Sequence, residues 1–179
     1  MKEQLIIEKI ELFKVPPRWL FVKVTTKEGI IGWGEPVVEG KADTVAACVM
    51  ELQQYIIGKS ATNIEDIWQI LYRGGFYRGG PILMSALSGI DQALWDIKGK
   101  FLGVPVYDLL GGAVRHKMKM YCWIGGDHPE VILEQAHEKV KAGFQAVKMN
   151  ATGGMEWISS LQDVKQVSNN IRLLREEFG

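Results

Sequence analysis

Hydrophobic residues in the first third of the chain come in short runs that partly alternate with polar positions, which is typical of β-strands. The three runs are "LIIEKIELFKV" (5–15), "WLFVKVTT" (19–26) and "IIGWGEP" (30–36). The connection "TKEG" (26–29) ends in Gly29, which can take the positive φ that a tight turn requires. The pattern therefore predicts three short antiparallel strands.

After the strands, the apolar positions change to a helical period. The spacing predicts a first helix over 41–58, a second over 63–74 with Asn63 as its N-cap, and a third over 81–100. Three strands followed by three helices indicate an α+β unit over residues 1–112.

The third predicted helix contains a glycine and two aspartates that need separate explanations. Gly89 lies mid-helix on the apolar side, where a missing side chain permits a neighbouring element to pack closely. Asp91 and Asp96 look like a carboxylate pair, but their spacing on a helix points them roughly 140° apart. We therefore expect a salt bridge or a cap contact rather than acid–base catalysis.

The pattern changes again in the last third of the chain. Strands are predicted over 117–123 and 145–150, and helices over 128–143 and most of 156–179. Strand–helix–strand–helix is the start of a parallel α/β fold. A closed βα barrel needs roughly 200 residues or more, so we expect residues 117–179 to form only its beginning.

The charge balance narrows the classes of partner. The chain has 21 Lys and Arg residues and 21 Asp and Glu residues. It therefore lacks the excess of positive charge that is typical of proteins that bind a nucleic-acid duplex or a membrane surface. No apolar run approaches a membrane span, and no signal or transit peptide follows Met1. Cys48 and Cys122 suggest neither a disulfide framework nor a zinc site. We expect a cytoplasmic protein with no nucleic-acid or membrane partner.

The stretch "YRGGFYRGG" (72–80) contains two Arg-Gly-Gly units. Its glycine spacing does not fit a phosphate loop, and it is too short for an RNA-binding RGG tract. Two interpretations stay open. It is either an irregular connection between helices, or a loop in which Arg73 or Arg78 presents its guanidinium to a carboxylate ligand beside Tyr77.

The other polar candidates do not assemble into a catalytic set. His116, His128 and His137 have no metal-ligand partner three or four residues further on. Lys148 and Asn150 end the second barrel-type strand, on the side where such folds place their chemistry, and alternation would point both to one face. The residues alone do not demonstrate catalysis.

One stretch carries a much more specific pattern. "ALSGIDQALWDIKGKFLGVPVYDLLGG" (86–112) resembles the signature of the mandelate racemase/muconate-lactonizing branch of the enolase superfamily. The positions that comply with the signature are Ala86, Ser88, Gly89, Ile90, Asp91, Ala93, Asp96, Gly99, Lys100, Pro105, Val106, Leu109, Leu110 and Gly111.

This resemblance implies a fold. Residues 1–112 resemble the α+β capping domain of the superfamily, a three-stranded antiparallel sheet with helices. Residues 117–179 resemble the first two βα units of an incomplete TIM-type barrel. A homo-oligomer is expected.

The resemblance also implies an activity. In this branch, a base removes the proton α to a sugar-acid carboxylate, and a general acid expels the β-hydroxyl to give a 2-keto-3-deoxy acid. Mg²⁺, held by three barrel-strand carboxylates, stabilises the intermediate. The resemblance of the wider sequence to enzymes of this branch implies D-galactonate as the substrate of a complete enzyme.

The ligands and the catalytic histidines of the family lie on the third and later barrel strands, which the 179 residues do not reach. We therefore assign no catalytic or metal-binding residue, expect no Mg²⁺ to bind this chain, and expect no turnover by the chain alone. Two alternatives are a truncated, non-catalytic module that self-associates or has a structural role, and another acid-sugar dehydratase or racemase of the same branch.

The positions that correspond to the substrate-closing loops and strand ends of the family are the candidate substrate contacts. The loop positions are Arg18, Trp19, Glu39, Gly40 and Lys41, and the strand-end positions are Trp123, Asp127, Lys148 and Asn150. Tyr77 and Arg78, from the "YRGGFYRGG" stretch, are further candidates.

Overall fold

The computed structural model describes residues 5–125, 129–153 and 157–179. The chain divides into two compact units, one up to Val114 and one from Arg115. Each unit has its own hydrophobic core. No helix in the described part of the chain is both long and apolar enough to span a membrane.

The predicted three-stranded antiparallel sheet is confirmed in the first unit. Its strands are β1 (Ile7–Val15), β2 (Trp19–Thr26) and β3 (Ile31–Gly34), in the order β1-β2-β3. The turn between β2 and β3 forms as expected, since Gly29 has a φ of 84° and its N–H donates to the carbonyl oxygen of Thr26 at 2.9 Å.

Within residues 5–114, four helices follow the sheet: α1 (Ala42–Leu52), α2 (Ile64–Arg73), α3 (Pro81–Leu102) and the short α4 (Val106–Leu109). A 3-10 turn, Gln53–Tyr55, follows α1. The N-cap position of α2 is Asn63 as predicted, although its side chain makes no capping hydrogen bond. The apolar pattern did not predict α4.

The prediction that the first helix continues to Gly58 is wrong, and a long-range contact gives the reason. The Gly58 N–H donates to the Ile7 carbonyl oxygen, and the Ile7 N–H donates to the Lys59 carbonyl oxygen, each at 2.9 Å. Because this segment runs beside the start of β1, the helix has to end before it.

The core of the first unit lies between one face of the sheet and helices α1, α2 and α3. Inward residues of β2 alternate with more exposed ones, whereas the buried Ile7 and Ile10 of β1 are three residues apart, across a shift in register. The buried side of α3 follows the predicted apolar face. The fully buried side chains here include Ile7, Leu20, Val22, Val24, Ile90, Ala93, Leu94 and Ile97.

Helix α3 and strand β3 are in backbone contact, which glycine makes possible. A Cβ on Gly34 would lie 1.9 Å from the Gly89 carbonyl oxygen, and one on Gly32 would lie 2.0 Å from the Ala93 carbonyl oxygen. A Cβ on Gly89 would lie 2.4 Å from the Cβ of Pro36. The expectation that Gly89 permits close packing is confirmed.

The second unit contains β4 (Cys122–Trp123), α5 (Pro129–Lys141), β5 (Val147–Lys148) and α6 (Leu161–Phe178). Strands β4 and β5 pair in parallel. Its core consists of Ile124, Ile132 and Ala136, with Met149, Leu174 and Phe178 packed against them.

The strands predicted over 117–123 and 145–150 are much shorter than expected. Met118, Met120 and Tyr121 are exposed rather than paired. A two-stranded ladder gives each strand a neighbour on one side only, so few residues gain the bonds that extend a strand.

The last helix also begins later than predicted, at Leu161. A capping box fixes this start, since the Ser160 N–H donates to Asp163 Oδ2 at 2.6 Å and the Asp163 N–H donates to Ser160 Oγ at 3.3 Å. Glu156, the first residue of the predicted segment, lies outside the described residues.

We predict that Gly34→Ala destabilises the first unit by about 3 kcal/mol, because the new methyl group must push the helix and strand backbones apart. Gly75→Ala is the matched control, since its Cβ would lie 3.5 Å from the nearest atom, the Tyr77 carbonyl oxygen. Urea unfolding followed by circular dichroism measures both variants. Equal stability of the two variants would contradict the close packing of α3 on β3.

Candidate functional site

Two predicted substrate-closing segments meet at one end of the sheet in the first unit. Arg18 lies in the turn between β1 and β2, and Glu39 lies in the segment that connects β3 to α1. Arg18 Nη1 donates to Glu39 Oε1 at 2.6 Å, and the guanidinium carbon lies 5.7 Å from the centre of the Trp19 ring. The structure therefore brings together three of the predicted contacts, Arg18, Trp19 and Glu39.

Both partners of this ion pair are exposed, so it adds little to the stability of the fold. The Arg18 guanidinium is an anion-binding group, because it presents a planar fork of donors that fits a carboxylate. In this structure the carboxylate of Glu39 takes that place.

Lys41 lies at the N-cap position of α1, next to the same segment. Its backbone N–H donates to the Val38 carbonyl oxygen at 2.8 Å, which closes a turn around Glu39 and Gly40. Gly40 has a φ of 73°, a backbone conformation that suits glycine. A second ion pair lies nearby in sequence, between Lys14 Nζ and Asp43 Oδ1 at 2.6 Å.

The "YRGGFYRGG" stretch connects α2 to α3, so the interpretation as an inter-helix connection is confirmed. Gly79 and Gly80 both have positive φ, which lets the chain turn into α3. The Tyr77 side chain is 88% exposed, and its ring packs edge-on against Phe76 at 5.3 Å. Within residues 5–125, no hydrogen bond joins Tyr77 or Arg78 to the Arg18–Glu39 pair. The ligand role of this loop stays a prediction.

In the second unit, Trp123 and Lys148 are cross-strand neighbours in β4 and β5. Lys148 Nζ lies 5.5 Å from the centre of the Trp123 ring, so the ammonium group lies over the aromatic face. Asp127, another predicted contact, lies outside the described residues.

The prediction that strand alternation points Lys148 and Asn150 to one face is wrong, because it assumed that both residues belong to one strand. Strand β5 ends at Lys148, so Asn150 is no longer part of a pleated strand. Both residues are exposed.

The segment after β5 is held by a residue that the sequence analysis missed. Asn170 on α6 is 1% exposed, and its Nδ2 donates to the Ala151 carbonyl oxygen at 3.0 Å while its Oδ1 accepts from Gln166. The available signal was its helical spacing, because Asn170 lies four residues before Leu174, which packs against the core of the second unit. Buried amides of this kind fix the loop to which they bond.

Asp96 has the structural role that its position on α3 predicted. Its Oδ2 accepts from the Trp33 N–H at 2.9 Å and from Lys100 Nζ at 2.7 Å. Asp91 is half-buried beside Ile67, Trp68, Leu71, Leu87 and Leu94. Burial, with a smaller contribution from the Glu65 carboxylate, raises the pKa of Asp91 above its ordinary value of 3.8.

The described residues do not fit a Mg²⁺ site. In residues 5–125, 129–153 and 157–179, no three His, Cys, Asp or Glu side chains lie close enough together to hold a metal ion. His137 instead links α5 to α6, since its Nε2 lies 3.0 Å from Glu177 Oε1 and its ring packs against Phe178. No step of a reaction can be assigned to a metal held by these side chains.

Comparison with known proteins identifies related sequences along nearly the whole chain. The family described as mandelate racemase / muconate lactonizing enzyme, N-terminal domain, matches residues 16–111. The D-galactonate dehydratase of Pectobacterium atrosepticum is 54% identical over 173 residues, and that of Klebsiella pneumoniae is 52% identical. Each alignment covers 97% of this chain but 45% of the relative, so the chain spans under half the length of the curated relatives it matches.

Solved structures show the same fold. A member of the enolase superfamily from Salmonella Typhimurium superposes with a TM-score of 0.88 at 30% identity, over 98% of this chain and 52% of that protein. An enolase from Pantoea ananatis with bound D-gluconate and Mg superposes with a TM-score of 0.75 at 36% identity, over 82% of this chain and 36% of that protein. The expected capping-domain architecture is confirmed by these neighbours.

We predict that Asp91→Asn makes the first unit more stable at neutral pH. The raised pKa means that folded Asp91 holds its proton more tightly than unfolded Asp91 does. Stability that this group provides in acid is therefore lost as the pH rises from 3.8 through the folded pKa. Asparagine carries no charge to bury, so the variant keeps that stability.

The measurement is urea unfolding of both proteins between pH 3 and pH 8, with the exposed Asp108→Asn variant as the control. The difference between Asp91→Asn and the natural chain should widen as the pH rises through this window. A constant difference, or one that narrows, would show that Asp91 ionises without cost in the folded protein.

Proposed function

This chain belongs to the mandelate racemase / muconate lactonizing enzyme family, and on that premise we propose that it forms the substrate-closing part of a Mg²⁺-dependent sugar-acid dehydratase acting on D-galactonate. Residues 1–112 are its capping domain and residues 117–179 begin its barrel domain. The observation that carries the proposal is the meeting of Arg18, Trp19 and Glu39 in two segments of the capping domain. High identity to proteins named D-galactonate dehydratase supports the choice of substrate.

The role of these residues is binding and closure. Arg18 provides a charged donor fork for the carboxylate or a hydroxyl group of a sugar acid, while Trp19 packs beside the guanidinium and limits the directions it can take. Tyr77, Arg78, Trp123, Lys148 and Asn150 are further proposed contacts. We assign proton abstraction and Mg²⁺ binding in this proposal to the histidines and carboxylates that the family carries on its third and later barrel strands.

Two other functions each have an observation in their favour. A structural relative carries D-gluconate, which favours a dehydratase or racemase of the same branch with a different sugar acid. The second unit exposes large apolar side chains, with Trp157, Ile158 and Leu161 each more than four-fifths exposed, which favours a self-associating module. Light scattering of the purified chain tests the second possibility, and a concentration-independent monomer would exclude it.

The central experiment joins this chain at Gly179 to the remaining C-terminal part of the Pectobacterium atrosepticum relative. We predict that the fused enzyme dehydrates D-galactonate with Mg²⁺ and prefers it to D-gluconate. The chain alone should show no turnover. The unmodified relative is the control for the assay, and circular dichroism is the control for folding.

A folded fusion that leaves D-galactonate unchanged, while the relative consumes it, would overturn the proposed function. Preference for D-gluconate would support the alternative substrate within the same branch. Turnover by the chain alone would show that it contains catalytic groups, and that catalysis does not depend on the later barrel strands.

We also predict that Arg18→Gln in the fused enzyme raises KM for D-galactonate about tenfold and changes kcat little. A lost charge-assisted hydrogen bond to the substrate, worth about 1.5 kcal/mol, gives this factor if the bond is equally strong in the bound and transition states. Lys9→Gln is the matched control, because Lys9 is also an exposed member of an ion pair in the same sheet. Equal KM values for the two variants would remove Arg18 from the binding site.

A further inference from the structure

Three side chains of helix α3 bind the backbone of strand β3 and of the residue that follows it. Gln92 Oε1 accepts from the Glu35 N–H at 2.9 Å, Asp96 Oδ2 accepts from the Trp33 N–H at 2.9 Å, and Lys100 Nζ donates to the Ile31 carbonyl oxygen at 2.8 Å. We call Gln92, Asp96 and Lys100 the edge clamp, because β3 is an edge strand of the sheet.

The spacing of the edge clamp matches that of its targets. Residues four apart on a helix are separated by about 6.0 Å along its axis, and residues two apart on a strand by about 6.6 Å. The outward backbone groups of an edge strand recur at every second residue. Side chains at 92, 96 and 100 can therefore reach residues 35, 33 and 31 in turn, with the helix antiparallel to the strand.

Further contacts hold the edge clamp in this arrangement. Gln92 Nε2 donates to Ser88 Oγ at 3.2 Å, which turns the amide oxygen toward Glu35. Lys100 Nζ also donates to Asp96 Oδ2 at 2.7 Å. Because Gly32 and Gly34 let the two backbones touch, short side chains such as that of Asp96 are long enough to reach the strand.

The edge clamp acts on the segment that carries Glu39. Gln92 binds the first residue after β3, Pro36 packs on Gly89, and Val38 packs against the core. Because these contacts fix the start of the segment, only a few residues are left to determine where Glu39 lies relative to Arg18. Loss of the Gln92 contact would release the start of the segment without touching Arg18 or Glu39.

We propose that Gln92, supported by Asp96 and Lys100, is a positioning residue that sets the Arg18–Glu39 arrangement through the backbone of Glu35. This inference rests on the proposed function for its effect on substrate, but its structural part can be tested without turnover. Alanine has the highest helix propensity, so a loss caused by Gln92→Ala does not come from a weaker helix.

The first test uses the 179-residue chain and amide hydrogen exchange followed by NMR. Gln92→Ala should speed exchange of the Glu35 amide about tenfold and leave the Trp33 amide nearly unchanged, and Asp96→Ala should do the reverse. Gln92→Glu keeps an acceptor at the same place and should preserve protection of Glu35. Glu176→Gln is the control, since it breaks an i,i+4 ion pair on α6.

The second test separates positioning from mere structural support. In Gln92→Ala, the NMR signal of the Arg18 side-chain Nε–H should shift toward that of a free arginine, whereas Gln92→Glu and Glu176→Gln should leave it in place. In the fused enzyme, Gln92→Ala should raise KM for D-galactonate about fivefold, the factor expected from one ordinary hydrogen bond, with kcat within about twofold.

The measurements separate a failure of the positioning role from a failure of the proposed function. An unchanged Glu35 amide or an unchanged Arg18 signal in Gln92→Ala would overturn the positioning role. A changed Arg18 signal with an unchanged KM in an active fusion would also overturn it. If the fusion folds but has no activity, the proposed function fails, while the two NMR measurements on the chain still decide whether the edge clamp sets the Arg18–Glu39 pair.

Discussion

The backbone of helix α3 lies directly against the backbone of strand β3, and the rest of the first unit is arranged around that contact. At the points where the two elements touch there is no room for a side chain, and these positions are Gly32, Gly34 and Gly89. Such close approach would normally leave the edge of a strand without hydrogen-bond partners. Here the edge clamp of Gln92, Asp96 and Lys100 supplies them.

This contact gives a physical meaning to the signature stretch of the family. Gly89, Asp96 and Lys100 are signature positions, and in this chain each contacts β3, the residues just after it, or another member of the edge clamp. In this chain, these three signature positions hold α3 against β3. Arg18 and Glu39 of the proposed site lie in connecting segments of the first unit that this framework supports.

Local pattern predicted what depends on neighbours in sequence. The three strands, the buried face of α3, the Gly29 turn and the structural role of Asp96 all follow from periodicity and helix geometry. Periodicity could not predict features that depend on contacts between segments distant in sequence. The end of α1 depends on the hydrogen bonds of Ile7 with Gly58 and Lys59, and the short length of β4 on its having a single neighbouring strand. The Arg18–Glu39 pair depends on how two connections meet.

The contact between α3 and β3 is tested most directly by a scalar coupling across the hydrogen bond between Asp96 and Trp33. In NMR spectra of the labelled chain, the Trp33 amide nitrogen should couple to the side-chain carboxyl carbon of Asp96, because their hydrogen bond joins β3 to α3. We expect this coupling to be observed, together with slow exchange of the Trp33 amide. A Trp33 amide that exchanges freely with water and shows no coupling to Asp96 would contradict it.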